Sequence, residues 1–275
     1  IKNKHQAADF KLQAQDTVYV FNKQRNRSAS LSPLLEVLKS QTELSEAAKV
    51  VTINGAVRNP GEYPLTVNGS VEDLLNAGMG YTQKSELQFA LLARKNEQLN
   101  TEVIYLDLTN KAVLNKPLAA LDKLYLFEHD QPRTELLKDL IAELQQQADK
   151  TLAQNIVTIS GDVHFPGQYP YVVNMTSNEL INLAGGLKES SYLVDADLVR
   201  FTHDGIRNAE ITHQNIKLTS GFLLQSLDNL HIKRIPEWRD NREIKLVGEV
   251  VFPGSYTLKK GEKLSDVIAR AGGLT

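Results

Sequence analysis

The chain has 275 residues, 41% of them hydrophobic and 23% charged, which is enough for two or three globular domains. Its 31 basic and 33 acidic residues are scattered along the chain, so nothing marks it as a nucleic-acid-binding protein. Cysteine is absent, which excludes disulfides, thiolate nucleophiles and cysteine-ligated metals, and no apolar run approaches the ~20 residues that span a bilayer.

The first residues, Ile-Lys-Asn-Lys-His-Gln, contain neither a start methionine nor an apolar signal core. We therefore expect the sequence to be a piece of a longer protein.

One motif, Gly-x-Val-x-x-Pro-Gly-x-Tyr, occurs three times along the chain, and an acidic residue and a glycine follow it at fixed distances. A motif repeated in this way indicates a repeated structural unit. Its Gly, Pro, Gly and Tyr positions are Gly55, Pro60, Gly61 and Tyr63, then Gly161, Pro166, Gly167 and Tyr169, then Gly248, Pro253, Gly254 and Tyr256.

The first two copies stay in register at a spacing of 106 residues well beyond the motif. Asp122-Lys-Leu-Tyr-Leu matches Asp228-Asn-Leu-His-Ile and, near the start, Asp16-Thr-Val-Tyr-Val. From this register we predict the closing part of a repeat at 1–21, whole repeats at 51–130 and 157–236, the first half of a further repeat at 243–275, and helical linkers at 22–50 and 131–156.

Each copy begins with a predicted hairpin. Alternating apolar and polar residues predict strands at 51–54 and 63–67 in the first copy. Pro-Gly lies between them and favours a type II turn, in which the glycine has positive φ. We expect this φ at Gly61, Gly167 and Gly254.

A short helix is predicted after the hairpin. Ser70 and Asp73, like Thr176 and Glu179, have the spacing of a capping box, and glycine at 80 or 186 should end the helix. Further strands then close the repeat.

Two of the three connections between copies contain an insert with helical spacing. Pro33 and Thr134 are the expected start signals of these helices, and the five aliphatic residues from Leu136 to Leu144 share one face. The third connection, from Asp228 to Gly248, is 19 residues shorter. We expect repeats joined by a helix to be oriented differently from the pair joined without one.

This order of elements predicts an α+β fold of tandem β-grasp (ubiquitin-like) repeats, each a small mixed sheet around one helix. The motif, the Ala-Gly-Gly that ends the helix at 184–186 and 271–273, and the closing Asp-x-Leu-x-Ile segment resemble the SLBB (soluble ligand-binding β-grasp) domain.

Tandem SLBB domains are typical of Wza-like proteins of bacterial polysaccharide export. The resemblance implies a non-enzymatic scaffold or conduit for capsule or exopolysaccharide in the periplasm, associated with the outer membrane. Its implied partners are the polysaccharide, other export subunits including the inner-membrane chain-length or kinase component, and further copies of itself. The alternative is a soluble module that binds a saccharide or another small ligand. We expect no catalytic site, metal or cofactor.

The side chains considered for ligand binding are Tyr63, Tyr169, Tyr256, Arg94 and Arg200. The tyrosines could stack on a sugar ring, but a tyrosine just after Pro-Gly more simply fixes the hairpin to the core. The arginines recur at one position of the repeat. They could bind an acidic sugar or pair with a carboxylate of a neighbouring repeat, and we favour the pairing.

Overall fold

The computed structural model describes residues 27–40, 47–148, 154–203, 209–236, 238, 243–259 and 261–275. The predicted closing segment at 1–21 and the start of the first linker lie outside these residues. No described helix is long and apolar enough to cross a membrane.

The first whole repeat follows helix α1 and forms one five-stranded sheet. Its elements are α1 (Arg27–Ser40), β1 (Val50–Gly55), β2 (Gly61–Pro64), α2 (Val71–Ala77), β3 (Ser85–Lys95), β4 (Thr101–Leu106), α3 (Lys111–Leu114) and β5 (Lys123–Glu128). The strand order is β2-β1-β5-β3-β4, with β1 and β5 parallel and the other neighbours antiparallel. This order, with a helix after the first hairpin, confirms the β-grasp prediction.

The second whole repeat has the same topology. It follows helix α4 (Thr134–Gln146), and its elements are β6 (Ile156–Gly161), β7 (Gly167–Pro170), α5 (Ser177–Leu183), β8 (Ser191–His203), β9 (Ala209–Lys217) and β10 (Asn229–Arg234). The order is β7-β6-β10-β8-β9. Its β8–β9 hairpin is longer than β3–β4, and a 3-10 turn at Leu218–Ser220 takes the place of α3.

The third copy consists of a two-stranded sheet and one helix: β11 (Glu243–Leu246), β12 (Gly254–Thr257) and α6 (Leu264–Arg270). It therefore matches the first three elements of a whole repeat.

The predicted capping boxes are present in both whole repeats. The Asp73 amide donates to Ser70 Oγ at 3.2 Å, and the Ser70 amide donates to Asp73 Oδ2 at 2.9 Å. Thr176 and Glu179 make the same two bonds. The hydrogen bonds from Ser70 lower the pKa of the Asp73 carboxyl. In the third copy, Lys263 provides only the backbone half of the box, donating its amide to Asp266 at 3.0 Å.

The type II turn was wrongly predicted. The expected positive φ is present at Gly61, with 144°, and at Gly167, with 159°, but not at Gly254. Gly61 and Gly167 do not lie in a type II turn, because they open β2 and β7 and pair with Ile53 and Ile159. The chain reverses through a five-residue loop at 56–60, which donates backbone hydrogen bonds to the carbonyls of Gly78 and Gly80 at the end of α2. These hydrogen bonds to the end of α2 fix the conformation of the loop, so the chain reverses without a tight turn.

Positive φ also occurs at the first glycine of the motif in all three copies, with 86° at Gly55, 84° at Gly161 and 98° at Gly248. A Cβ on Gly55 would lie 1.9 Å from the Leu126 carbonyl oxygen, and one on Gly161 would lie 2.0 Å from that of Ile232. Glycine is thus required both by φ and by the close approach of the parallel closing strand.

Both predicted linker helices are present, and α4 begins at Thr134 as predicted. The start signal of α1 was wrongly predicted, because this helix begins at Arg27 and Pro33 lies inside it. Pro33 removes one backbone hydrogen bond, yet the helix continues because its apolar stripe, including Leu31 and Leu35, packs on the first repeat.

Each sheet buries one face against its own short helix. In the first repeat, Ile53, Leu92 and Leu124 form a core with Val71 and Leu74 of α2. We call the opposite side of the sheet the outer face. On the first repeat, α4 covers it: four buried sheet residues, Leu91, Ala93, Tyr125 and Phe127, share a hydrophobic cluster with Leu137, Leu140, Ile141 and Leu144. Helix α4 also contacts β6 and β7, so it lies between the two whole repeats.

Candidate binding surface

The motif tyrosines lie in the second strand of each hairpin, close to the loop that joins the two strands. Tyr63 and Tyr169 are 2% and 0% exposed, and their hydroxyls donate to the carbonyls of Asn59 and Phe165 at 2.8 and 2.6 Å. Burial raises the pKa of Tyr169 to about 12. With both rings in the core, neither offers a face for sugar stacking. Tyr256 makes the equivalent bond to Phe252 and is partly exposed.

The two repeated arginines form matching ion pairs. Arg94 binds Asp122 through Nε at 2.9 Å and Nη2 at 2.6 Å, and Arg200 binds Asp228 at 2.9 and 2.7 Å. Both aspartates are fully buried. The hydrogen bond to Asp122 raises the pKa of the Arg94 guanidinium.

Each pair lies within its own repeat, so the predicted pairing with a carboxylate of a neighbouring repeat is wrong. The reason is topological: each aspartate precedes the closing strand, which is adjacent to the strand of its arginine. Each arginine also donates to a backbone carbonyl before that strand, Pro117 or Leu223. The guanidinium groups hold the closing segment in place, and an acidic sugar would have to displace a buried carboxylate.

A buried arginine that the motifs did not indicate joins the two whole repeats. Arg133 is 2% exposed and donates to the Leu183 carbonyl at the end of α5 at 2.5 Å and to Glu86 of β3 at 3.2 Å. Its guanidinium lies 4.8 Å from the ring centroid of Phe127 and 5.7 Å from that of Phe165. One side chain thus contacts both repeats.

A second unpredicted cluster holds α4 on the first sheet. Glu143 accepts from Lys95 at 2.5 Å, from Thr101 at 2.5 Å and from Lys123 at 3.0 Å. Burial alone would raise the pKa of this carboxyl, but the three donors outweigh burial and lower it from 4.5 to about 2.

The outer face of the second repeat has no covering helix among the described residues. Ser160, His231, Asp197 and Asn215 are direct neighbours across β6, β10, β8 and β9. We call these four residues the polar row. The residues that alternate with them, such as Leu198 and Ile232, are 0% exposed in the core, so the polar row points to solvent.

Lys233 binds two members of the polar row, Asp197 and Asn215, and the neighbouring carboxylate of Asp195. Its ammonium lies 2.6 Å from Asp195, 3.0 Å from Asp197 and 2.8 Å from Asn215. The hydrogen bond to Asp195, followed by that to Asp197, raises the pKa of the lysine. The surface therefore presents carboxylate, amide, ammonium, imidazole and hydroxyl groups side by side, with little net charge.

Apolar side chains extend this surface at one end. Phe201 and Ile211 face each other across the lengthened β8–β9 hairpin and are 49% and 54% exposed. Both are an even number of residues from the polar row on their strands, so they lie on the same face. An exposed ring beside closely spaced hydrogen-bonding groups can contact an extended polar ligand that also has apolar patches.

The same positions of the first repeat are apolar. Leu91 and Tyr125 stand where Asp197 and His231 stand, and α4 covers them. Of the described residues, no group of three or more His, Asp or Glu side chains could hold a metal ion.

The sequence profile of the SLBB domain matches residues 50–107, 156–207 and 244–275, about half of the chain. The chain belongs to the SLBB domain family. The three matches confirm the tandem arrangement of SLBB domains. A search of curated proteins found no match.

Sequence reasoning missed the polar row, Arg133 and Glu143. A signal for the polar row was present, since residues 106 positions apart change from Leu91, Tyr125 and Phe127 to Asp197, His231 and Lys233. This change accompanies the missing helical insert after the second repeat. Arg133 and Glu143 gave no comparable signal, because their partners are distant in sequence.

Proposed function

We propose that this chain is a non-enzymatic, periplasmic segment of a Wza-like capsule or exopolysaccharide export protein, where it acts as a scaffold or conduit for the polysaccharide. The observation that carries the proposal is the tandem arrangement of three ligand-binding SLBB domains. A row of binding domains along one chain suits a polymer, because a polymer can contact several domains at once.

The partners in this proposal are the polysaccharide and the other export subunits, including the inner-membrane chain-length or kinase component. The full-length protein would be a homo-oligomer associated with the outer membrane. The buried ion pairs and tyrosines serve the fold, which leaves exposed surface for these contacts.

In the host bacterium, replacing three SLBB domains with one should abolish surface polysaccharide while the polymer is still made inside the cell. Fractionation should place the protein in the periplasmic and outer-membrane fractions. Unchanged surface polysaccharide, or a cytoplasmic protein, would contradict the proposal.

A second candidate, a soluble saccharide-binding module, is favoured by the polar row and Phe201. If it is correct, the isolated chain should bind oligosaccharides from the host's own polymer saturably, as measured by calorimetry. Removing His231 and Phe201 side chains should weaken this binding at least tenfold, whereas the control Glu102→Ala, on β4 of the first repeat, should not. Absence of saturable binding would leave the scaffold as the function.

A further inference from the structure

A cavity of about 170 Å³ lies at the carboxyl ends of the two parallel strands of the first repeat. Gly55 ends β1, Glu128 ends β5, and both residues line the cavity. The chain passes from β5 into α4, so Arg133 and Leu136 at the beginning of that helix line it as well. A place between strand ends and a helix N-terminus suits a ligand with hydrogen-bond acceptors.

The N-terminus of α4 has no capping side chain. Arg133 occupies the cap position and makes no side-chain cap hydrogen bond, whereas Ser70 and Thr176 cap α2 and α5. Helix α4 has 13 residues, so its first turn carries partial positive charge and amides that no cap satisfies. An acceptor in the cavity can bind these amides.

The buried guanidinium of Arg133 also lacks an acceptor. The residue is 2% exposed, and its Nη1 and Nη2 donate to Leu183 and Glu86. Its Nε is buried and has no hydrogen-bond partner in the part of the chain that the structure describes. Burial lowers the pKa of the guanidinium in spite of Glu86, so the protein compensates its charge incompletely. A ligand carboxylate supplies both the acceptor and the negative charge.

The rest of the lining restricts which carboxylate can bind. Glu128 and Gln131 also line the cavity, and a second carboxylate repels Glu128 unless the ligand donates a hydrogen bond to it. Hydroxyl groups beside the ligand carboxylate can make that bond. A volume of about 170 Å³ suits one six-membered ring, since a cavity of about 150 Å³ can hold benzene.

We propose that this cavity binds one sugar acid, a uronate residue, with its carboxylate at Arg133 Nε and the first turn of α4 and a hydroxyl donating to Glu128. The site rests on the proposed function and deepens it, because it makes acidic saccharides the substrate class of the first repeat.

The second repeat differs at the matching position. Asp162 stands where Ala56 lines the cavity, and both amides donate to the closing strand, at 2.9 and 3.0 Å. Asp162 Oδ2 is buried without a partner among the described residues, so this carboxylate would repel an anion. The fold thus accommodates aspartate at this position, and Ala56→Asp tests the site without an unfamiliar backbone environment.

Calorimetry of the 275-residue chain should show saturable binding of glucuronate, at least about tenfold tighter than that of glucose, which has no carboxylate. Ala56→Asp should weaken glucuronate binding at least about tenfold more than the control Ala56→Asn, which has the same shape without the charge. Glycine, which has a carboxylate and an ammonium group but no hydroxyl, should not compete.

Hydrogen exchange of the unmodified chain locates the ligand without any variant. Glucuronate should slow exchange in the first turn of α4. Absence of saturable glucuronate binding, protection only outside this turn, equal affinities of the Asp and Asn variants, or equally tight binding of glucose or glycine would overturn the site. The export proposal would survive any of these results, because its own test measures surface polysaccharide in the bacterium.

Discussion

In the first whole repeat, α4 lies across the outer face of the sheet, whereas in the second repeat the same face carries the polar row. Leu91 is fully buried under α4, and Asp197 at the equivalent position faces solvent. The connection that follows the second repeat lacks the helical insert. The repeat that is followed by a helical linker has an apolar outer face, and the repeat that is followed by a short linker has a polar one. Both repeats keep the same kind of apolar core on the inner face of the sheet.

Exchanging one residue between the two faces is the strongest test of this comparison. Leu91→Asp should destabilise the first repeat by about 4 kcal/mol, because it places an unpaired carboxylate under α4. Asp197→Leu should change the stability of the second repeat by less than about 1 kcal/mol, since it removes only an exposed ion pair. Hydrogen exchange with mass spectrometry can measure each repeat separately. Equal effects would show that α4 does not define the buried face.

A second test compares the whole repeats with the third copy. Gly55→Ala and Gly161→Ala should each cost about 3 kcal/mol, because the new Cβ would collide with a carbonyl of the closing strand. Gly248→Ala should cost only about 1 kcal/mol, from its left-handed φ. Thermal unfolding monitored by hydrogen exchange gives the three values. A large loss at Gly248 would mean that its surroundings are already filled.

The Pro-Gly glycines should show a smaller difference of the same kind. A Cβ on Gly167 would lie 2.6 Å from Thr134 Cγ2 at the start of α4, whereas one on Gly254 would meet nothing within 4 Å. Because Gly167 also has a positive φ of 159°, Gly167→Ala should destabilise the second repeat by roughly 1 kcal/mol, whereas Gly254→Ala should be neutral. Similar melting temperatures for both variants would argue against contact between α4 and β7.

A further test uses the pH dependence of the contact between α4 and the first sheet. The pKa of Glu143 is about 2 in the folded chain against an ordinary 4.5, so its ion pairs stabilise the fold above pH 4.5. This contribution is lost as the pH falls from 4.5 towards 2. Glu143→Gln should therefore be less stable than the wild type at neutral pH, with the difference shrinking in that window. A difference independent of pH would exclude this role of Glu143.

Much of the fold was predictable because it depends on local signals. Ser70 and Asp73 indicated a helix start within four residues of sequence, and the repeat spacing indicated the closing strand at Asp122. The turn type was not predictable from Pro60 and Gly61, because the loop is held by carbonyls at the end of α2 rather than by its own hydrogen bonds. The partners of Arg94 were also misjudged, since only the sheet order brings Asp122 beside it.

The candidate surface was harder to predict than the fold. Asp195 and Asp197 were visible in the sequence, but Lys233 reaches them only because β10 lies next to β8. The domain boundaries and the relative orientation of the repeats remain predictions.

The parallel pairing of β1 with β5 affects how each repeat is made on the ribosome. Thr52 pairs with Lys123, so the centre of the sheet requires a strand that is synthesised 71 residues later. At usual rates of translation this delay is on the order of ten seconds or less. During that time the first hairpin and helix expose apolar surface to other nascent chains, and folding has a high contact order. Closing each repeat with its last strand therefore makes synthesis the period in which this protein is most vulnerable to aggregation.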